Sequence, residues 1–208
     1  MTARKPPVNS YHHGSLAPAL IAAAEQELSQ AGIESFSLRA VAKRAGVSHG
    51  APAHHFDGKN GLLTALAAEG YRRLIDAQNE RQKKAQPDPL SQLIASGSGY
   101  LDFAMQNQEL FRLMLASSLP DRDNEHFSAV SMAAFDKLAV EIRNVLGTDP
   151  YTDRVAMTQV MASWSMVHGL AELIISGRTK MPMDFTQMPA AQRDAIFEDI
   201  LLRALKTN

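Results

Sequence analysis

The part of the chain that most constrains its fold runs from residue 37 to residue 56, where the pattern indicates two short helices joined by a tight turn. Ser37 can cap the first helix, and Gly46 can end it in the left-handed conformation that other residues resist. Ser48 can begin a second helix from about residue 49 to residue 55, and Pro52 falls near its first turn. Four apolar positions share one face of the first helix: Leu38, Val41, Ala42 and Ala45. The segment predicts either a helix-turn-helix or an ordinary hairpin of two helices.

Two longer helices are predicted around this segment. The first runs from about Ser15 to Ala31 and ends at Gly32. The other begins at Lys59 and continues to about Lys84, where its last turns are polar on all sides and would be loosely held in solvent. We therefore expect four parts: a flexible arm over residues 1–13, a helix-turn-helix domain over 14–60, a connecting helix over 61–86 and a C-terminal domain over 87–208.

The charge of the chain is unevenly distributed, although the net charge is only −1. Residues 1–86 contain 11 Lys and Arg against 7 Asp and Glu, whereas residues 87–208 contain 10 against 15. Five of the seven histidines also lie in the first part. This asymmetry indicates that the N-terminal end would meet a polyanion such as DNA.

Further positions in fixed register extend the helix-turn-helix pattern: Leu20, Ala24, residues 32–39, Val41, Ala42, residues 45–48, His55, Phe56, Lys59, Leu62 and Leu63. With this set the chain resembles the tetracycline-repressor (TetR) family of bacterial transcription regulators. One position departs from the family pattern. The family usually has a tyrosine two residues before the His-Phe pair, where the ring meets the DNA backbone, and this chain has Ala53 there. That contact is either absent or replaced by His54 or His49.

The resemblance implies that the second short helix and its surroundings bind double-stranded DNA. Lys59 is expected to meet phosphates, and His49 is expected to influence base preference. A metal site is not expected, because His49 and His54 lie about 140° apart around a helix. The residues expected to contact DNA are Ser37, Arg39, Lys43, Ser48, His49, Gly50, Ala51, Pro52, His54, His55 and Lys59.

Beyond Pro89 the sequence is helical throughout and shows no strand pattern. A helix is expected to continue through the Ser-Gly-Ser-Gly run at residues 96–99, because its apolar stripe persists on both sides. Shorter and longer helices follow, and the one from about Tyr151 to Ser176 is apolar over more than one face. The predicted fold class is therefore all-α: a three-helix head joined by a long helix to a helical ligand-binding and dimerisation domain.

The last two predicted helices carry more apolar surface than one core requires. We expect them to pack against their copies as a four-helix bundle, and the family resemblance implies the same homodimer. Two heads on a two-fold axis would bind a palindromic operator. The expected interface residues are Leu170, Ile174, Phe197, Ile200 and Leu201.

The sequence around Trp164 and His168 resembles the Trp-His-Gly signature of one TetR subgroup. Thioethers, an aromatic ring and one polar tip on a single helix face suit a pocket for a small hydrophobic or amphipathic effector. The alternative is an ordinary core stripe in which Glu172 satisfies His168. The residues expected to line the pocket are Phe103, Phe111, Met114, Met157, Met161, Trp164 and His168.

Other classes of function have less support in the sequence. A helical hydrolase would need Ser165, His168 and Glu172 to act together, and spacing of three residues on one helix rarely aligns a nucleophile with its base. No cofactor is expected, and a DNA-binding regulator without an effector stays open. There is no cysteine and no long apolar run, so a cytoplasmic protein without a membrane partner is expected.

Overall fold

The computed structural model describes residues 16–181 and 183–205, so the arm expected over residues 1–13 lies outside the described residues. Within them the chain is helical and contains no strand, which confirms the all-α fold class. The helices are α1 (Leu16–Ala31), α2 (Leu38–Ala45), α3 (Ala51–Phe56), α4 (Gly58–Gln82), α5 (Pro89–Gln106), α6 (Gln108–Leu115), α7 (Glu125–Leu146), α8 (Arg154–Ile175) and α9 (Ala190–Leu205). None of these helices is long and apolar enough to span a membrane.

Helix α2 forms where the sequence predicts it because both of its ends are fixed locally. The Ser37 hydroxyl accepts a hydrogen bond from the Ala40 amide at 3.5 Å. Gly46 adopts a φ of 68°, and the Val47 amide donates back to the Ala42 carbonyl at 3.0 Å. This arrangement satisfies the last carbonyls of the helix and aims the chain towards α3.

Helix α3 begins later than predicted, at Ala51 instead of His49. Its N-cap is Gly50, and Ser48 serves a preceding turn through its carbonyl, which accepts from the Ala51 amide at 3.0 Å. The later start keeps Pro52 at the second helical position, where its missing N–H costs no hydrogen bond.

The head packs α1, α2 and α3 against the beginning of α4. Leu20 and Val41 are fully buried, and Phe36, in the loop before α2, is 5% exposed. The side chain of Arg44 turns towards α1. Its Nε donates to the Glu27 carboxylate at 3.0 Å, because that carboxylate is buried and needs a charged partner.

Helix α4 is the central element of the fold. It packs against α1 and α3 in the head and against α5, α6 and α7 in the body. The prediction that its C-terminal turns are loosely held is wrong. Gln78 is buried, and the Arg81 guanidinium donates to Asp102 at 2.7 Å and to Asp194 at 2.9 Å. These carboxylates come from α5 and α9, so the polar end of α4 is held by partners distant in sequence.

The Ser-Gly-Ser-Gly run continues α5 as predicted, and the reason is a close approach of α4. A Cβ atom added at Gly99 would lie 2.7 Å from the Cα of Gln78 and 2.8 Å from the carbonyl oxygen of Ala77. Only glycine allows the two backbones to meet at this distance.

We expect Gly99→Ala to lower the free energy of unfolding by about 3 kcal/mol, the upper end of the cost of overpacking, because the obstacle is backbone. The control is Gly70→Ala, whose new Cβ would meet the flexible thioether of Met114. That variant should lose clearly less, as measured by urea denaturation. Equal losses for the two variants would contradict the role assigned to the α4–α5 contact.

Candidate DNA-binding surface and effector cavity

Most of the residues predicted to contact DNA are exposed at the surface of the head. They belong to helix α2, to the turn before α3 and to the last turn of α3. Three predicted residues, Ser37, Ala51 and Lys59, are only half-exposed, and Pro52 is buried. Pro52 therefore shapes the start of α3 and is not available at the surface. The exposed members are Arg39, Lys43, Ser48, His49, Gly50, His54 and His55.

Lys59 has a structural partner that the sequence did not reveal. Its ammonium donates to the carbonyl of Phe36 at 3.0 Å and lies 5.6 Å from the centroid of the Phe36 ring. One proton of the ammonium therefore holds the loop before α2 against the start of α4. Two protons remain for other acceptors, so the predicted phosphate contact stays a prediction.

The last turn of α3 is anchored by an aromatic contact. The rings of His55 and Phe56 meet edge to face with centroids 4.9 Å apart, and Phe56 is packed against the core. His54 and His49 are exposed. This leaves imidazole donors on the surface beside the site where the family pattern has a tyrosine and this chain has Ala53.

A cavity of about 430 Å³ lies in the body, within the size range of ligand pockets. Helices α4, α5, α7, α8 and α9 contribute to its wall, which is largely apolar and aromatic. The chain's single tryptophan, Trp164, lies in this wall with its ring 5.9 Å from that of Phe135. The other large apolar residues of the wall include Tyr71, Leu74, Leu93, Tyr100, Leu138, Val167 and Phe197.

Four polar side chains line the same cavity although each is about nine-tenths or more buried: Gln78, Ser96, Glu141 and Ser163. Gln78 Oε1 and Ser163 Oγ have no hydrogen-bond partner, while Ser96 Oγ and Glu141 Oε2 have none beyond the weaker contact between these two side chains, through which Ser96 lowers the pKa of Glu141. An unsatisfied buried polar group typically costs about 1–3 kcal/mol. Such a cluster in one cavity is therefore a feature that requires an explanation.

The other carboxylate oxygen of Glu141, Oε1, has two partners. Glu141 Oε1 accepts from Gln82 Nε2 at 2.8 Å and forms an ion pair with Lys137 Nζ at 3.0 Å. Burial raises the pKa of this carboxyl above its ordinary value of 4.5, while the Lys137 ammonium acts in the opposite direction. Burial also raises the pKa of the Tyr100 hydroxyl.

Of the seven residues predicted to line a pocket, only Trp164 lies in the wall of this cavity. Phe103, Phe111 and Met114 are buried in the core, and Met161 is 43% exposed. The reason is the rotation of α8, whose inner face is centred on Ser163 and Val167. Met157 and Met161 share a face with Trp164 but lie outside the cavity wall.

His168 lies behind the cavity wall and is not paired with Glu172 as the alternative interpretation of the sequence supposed. Its Nδ1 makes a hydrogen bond with the Tyr100 hydroxyl at 3.0 Å. The Phe111 ring contacts both residues, with centroid distances of 5.5 Å to Tyr100 and 5.6 Å to His168. These three rings form one packed layer that supports the Tyr100 side of the cavity.

Ser165 does not join His168 in a catalytic arrangement. It is exposed on α8, while the His168 ring is held by Tyr100, so the hydrolase geometry is not assembled. Within the described residues, no three His, Asp or Glu side chains are grouped in a way that could hold a metal ion.

The predicted dimer contacts divide into two groups. Ile174, Phe197 and Leu201 are at most 2% exposed, so they belong to the core of their own chain and cannot meet a second copy. Leu170 and Ile200 are half-buried. Helix α8 instead exposes other apolar side chains, namely Val155 and Leu173 on its outer face and Met161 on the side of Trp164.

Comparison with known proteins identifies the family. Residues 93–202, more than half of the chain, match the model described as the tetracyclin repressor-like C-terminal domain, and residues 20–66 match that of bacterial regulatory proteins of the tetR family. This all-helical chain with an N-terminal helix-turn-helix therefore belongs to the TetR family.

The relatives agree with this assignment over part or all of the chain. It is similar to the HTH-type transcriptional regulator BetI of Stenotrophomonas maltophilia, with 34% identity over 96 residues, which are 46% of this chain and 49% of the relative. BetI of Paraburkholderia phytofirmans is 33% identical over 97 residues, 47% of this chain and 50% of that protein. The chain thus spans about half the length of the curated relatives it matches.

Solved structures share the fold over nearly the whole chain. A protein with unknown function from Rhodococcus sp. RHA1 has a TM-score of 0.74 and 28% identity, covering 93% of this chain and 96% of that one. The TetR family transcriptional regulator PfmR from Thermus thermophilus has a TM-score of 0.62 and 20% identity, covering 90% and 98%.

The raised pKa of Glu141 predicts a particular dependence of stability on pH. Between the ordinary value of 4.5 and the higher folded value, the folded chain holds a proton that the unfolded chain has lost. Raising the pH through this window therefore lowers the free energy of unfolding. Glu141→Gln lacks this titrating group. The melting temperature of this variant, relative to that of the unchanged protein, should therefore rise as the pH is raised from 4.5 to neutral. A difference in melting temperature that is the same at every pH would contradict this prediction.

Proposed function

We propose that the protein is a transcriptional repressor that binds a palindromic operator as a homodimer and is released by a small, largely apolar effector. The observation that carries this proposal is that α4 belongs to both functional regions. Its first turns hold Lys59, Leu62 and Leu63 in the head, and its later turns place Leu74 and Gln78 in the cavity wall. A ligand in the cavity would therefore contact the helix that positions the DNA-binding face.

The proposal that the protein binds DNA rests on the head. Arg39, Lys43 and three histidines are exposed on the head and can supply donors to phosphates and base edges. The curated relatives, which match about half of the chain, are named HTH-type transcriptional regulators. We assign DNA binding, and with it a location in the cytoplasm, on these grounds.

The proposal that the protein forms a homodimer rests on the outer face of α8. Val155 is 60% exposed and Leu173 is 46% exposed, and their separation of five full helical turns places both on the same side of α8. A second copy related by a two-fold axis would cover this face, together with Ile200 of α9. Two recognition helices would then stand about one turn of DNA apart, roughly 34 Å.

The proposal that an effector releases the protein from DNA rests on the side chains that hold α4 against its neighbours. Arg73 Nη1 donates to Glu25 of α1 at 2.7 Å, and its Nη2 donates to Asn107 at the start of α6 at 2.6 Å. Head and body therefore share a charged junction. A ligand changes operator affinity only by its differential affinity for two arrangements of this junction, typically about 5- to 150-fold.

Selection from a random duplex library should yield a palindrome. We assign Lys43, which is exposed on α2, a contact with a DNA phosphate. Lys43→Ala should therefore weaken binding to all sequences about equally and reduce the slope of affinity against salt by about one, because a phosphate contact carries no base information. His49→Ala should instead change base preference at one position of each half-site. Absence of any preferred duplex at moderate salt would refute the regulator function.

A charge on the outer face of α8 should disrupt assembly. Leu173→Glu should give monomers in sedimentation at micromolar concentration, because the charge would be buried between the copies. The control is Val140→Glu, a similarly exposed apolar position on α7 that should leave the dimer intact. A monomeric unchanged protein would contradict the homodimer.

A further inference from the structure

We propose that the effector is an amphipathic molecule whose apolar body fills the cavity and whose head group, a protonated amine or a comparable hydrogen-bond donor, binds Gln78 and Glu141. The inference rests on the proposed function of the cavity as the effector site. It adds the chemistry of the ligand, which the apolar wall alone does not specify.

The unpaired polar atoms indicate where the head group binds. Six buried side-chain polar atoms lack a hydrogen-bond partner within the described residues, and four of them belong to residues that line this one cavity. Buried polar groups in folded proteins are nearly always paired, so a concentration of such atoms on residues that line one cavity points to a partner that binds there. The two atoms outside the cavity belong to Glu172 and Thr179.

The identity of the atoms determines the chemistry of the partner. Glu141 Oε2 and Gln78 Oε1 are oxygens of a carboxylate and of a side-chain amide, and both accept hydrogen bonds. The ligand must therefore donate. Ser96 and Ser163 can adapt to either role because a hydroxyl can rotate.

The charges around the cavity favour a cationic donor. The Lys137 ammonium pairs with the other oxygen of Glu141 and does not line the cavity, so it does not block Oε2. Arg122 is the cation in the lining, but it is exposed and its guanidinium donates to the Ser117 carbonyl at 3.4 Å. An anionic head group at the buried end would instead meet the Glu141 carboxylate.

The two acceptors lie on different helices, which gives the head group a regulatory consequence. Gln78 belongs to α4, the helix shared with the DNA-binding head, and Glu141 belongs to α7 of the body. A donor that bonds to both would tie these helices together. The polar end of the ligand, more than its apolar body, would then fix the position of α4.

Three probes with the same ten-carbon chain and different head groups test this proposal: decylamine, 1-decanol and decanoate. Trp164 is the single tryptophan and lies in the cavity wall, so its fluorescence reports occupancy directly. At pH 7 we expect decylamine to bind at least about tenfold more tightly than either other probe, as charge-assisted hydrogen bonds predict. Glu141→Gln should reduce decylamine affinity to that of 1-decanol and leave 1-decanol unchanged.

Glu172→Gln is the matched control, because it removes a partly buried carboxylate with an unpaired oxygen outside the cavity. It should leave decylamine affinity unchanged. If Glu141→Gln does not fold, Gln78→Met removes the other acceptor at similar volume and should lower decylamine affinity selectively.

Equal or tighter binding of decanoate, or an unchanged decylamine affinity in Glu141→Gln, would overturn the donor assignment while leaving the cavity as an effector site. If none of the three probes alters Trp164 fluorescence or the melting temperature, the cavity does not bind such ligands. Both this inference and the proposed release from the operator by an effector would then fail.

Discussion

The close approach of α4 and α5 is the contact on which the rest of the structure depends. Because Gly99 has no side chain, the backbone of α5 rests directly on Ala77 and Gln78 of α4. Helix α5 in turn packs against α7, α8 and α9. The buried apolar residues consequently form one continuous cluster from Leu20 in the head to Leu201 in the last helix. Head and body are therefore two ends of one core, joined along α4.

Three cationic side chains of α4 add directional hydrogen bonds to this apolar contact. Lys59 holds the loop before α2, Arg73 joins α1 to the start of α6, and Arg81 joins α5 to α9. Partly exposed ion pairs contribute little stability individually, about 0–1 kcal/mol each. Their effect here is geometric, since each fixes how a neighbouring helix is oriented relative to α4.

The features that the sequence predicted well are local ones. The caps at Ser37 and Gly46 and the helical fold class depend on residues close in sequence, and they are present in the structure. The errors came from partners far apart, such as Arg81 and Asp194, which are separated by 113 positions. The polar residues of the cavity could have been predicted in part from the sequence. Glu141 follows Ala134 and Leu138 at helical spacing on an otherwise apolar stripe of α7, where a carboxylate is unusual.

In the proposed dimeric regulator, the anchoring of Arg81 would make α4 a lever with its fulcrum near the bottom of the body. At 1.5 Å per residue, Lys59 lies about 33 Å from this fulcrum along the helix, whereas Leu74 in the cavity wall lies only about 10 Å from it. A shift of the helix at the cavity would thus be magnified about threefold at the head. A displacement of about 1 Å, the scale of a side-chain rearrangement, would move each recognition helix by about 3 Å, and two heads moving in opposite directions would double that mismatch with the groove spacing of DNA.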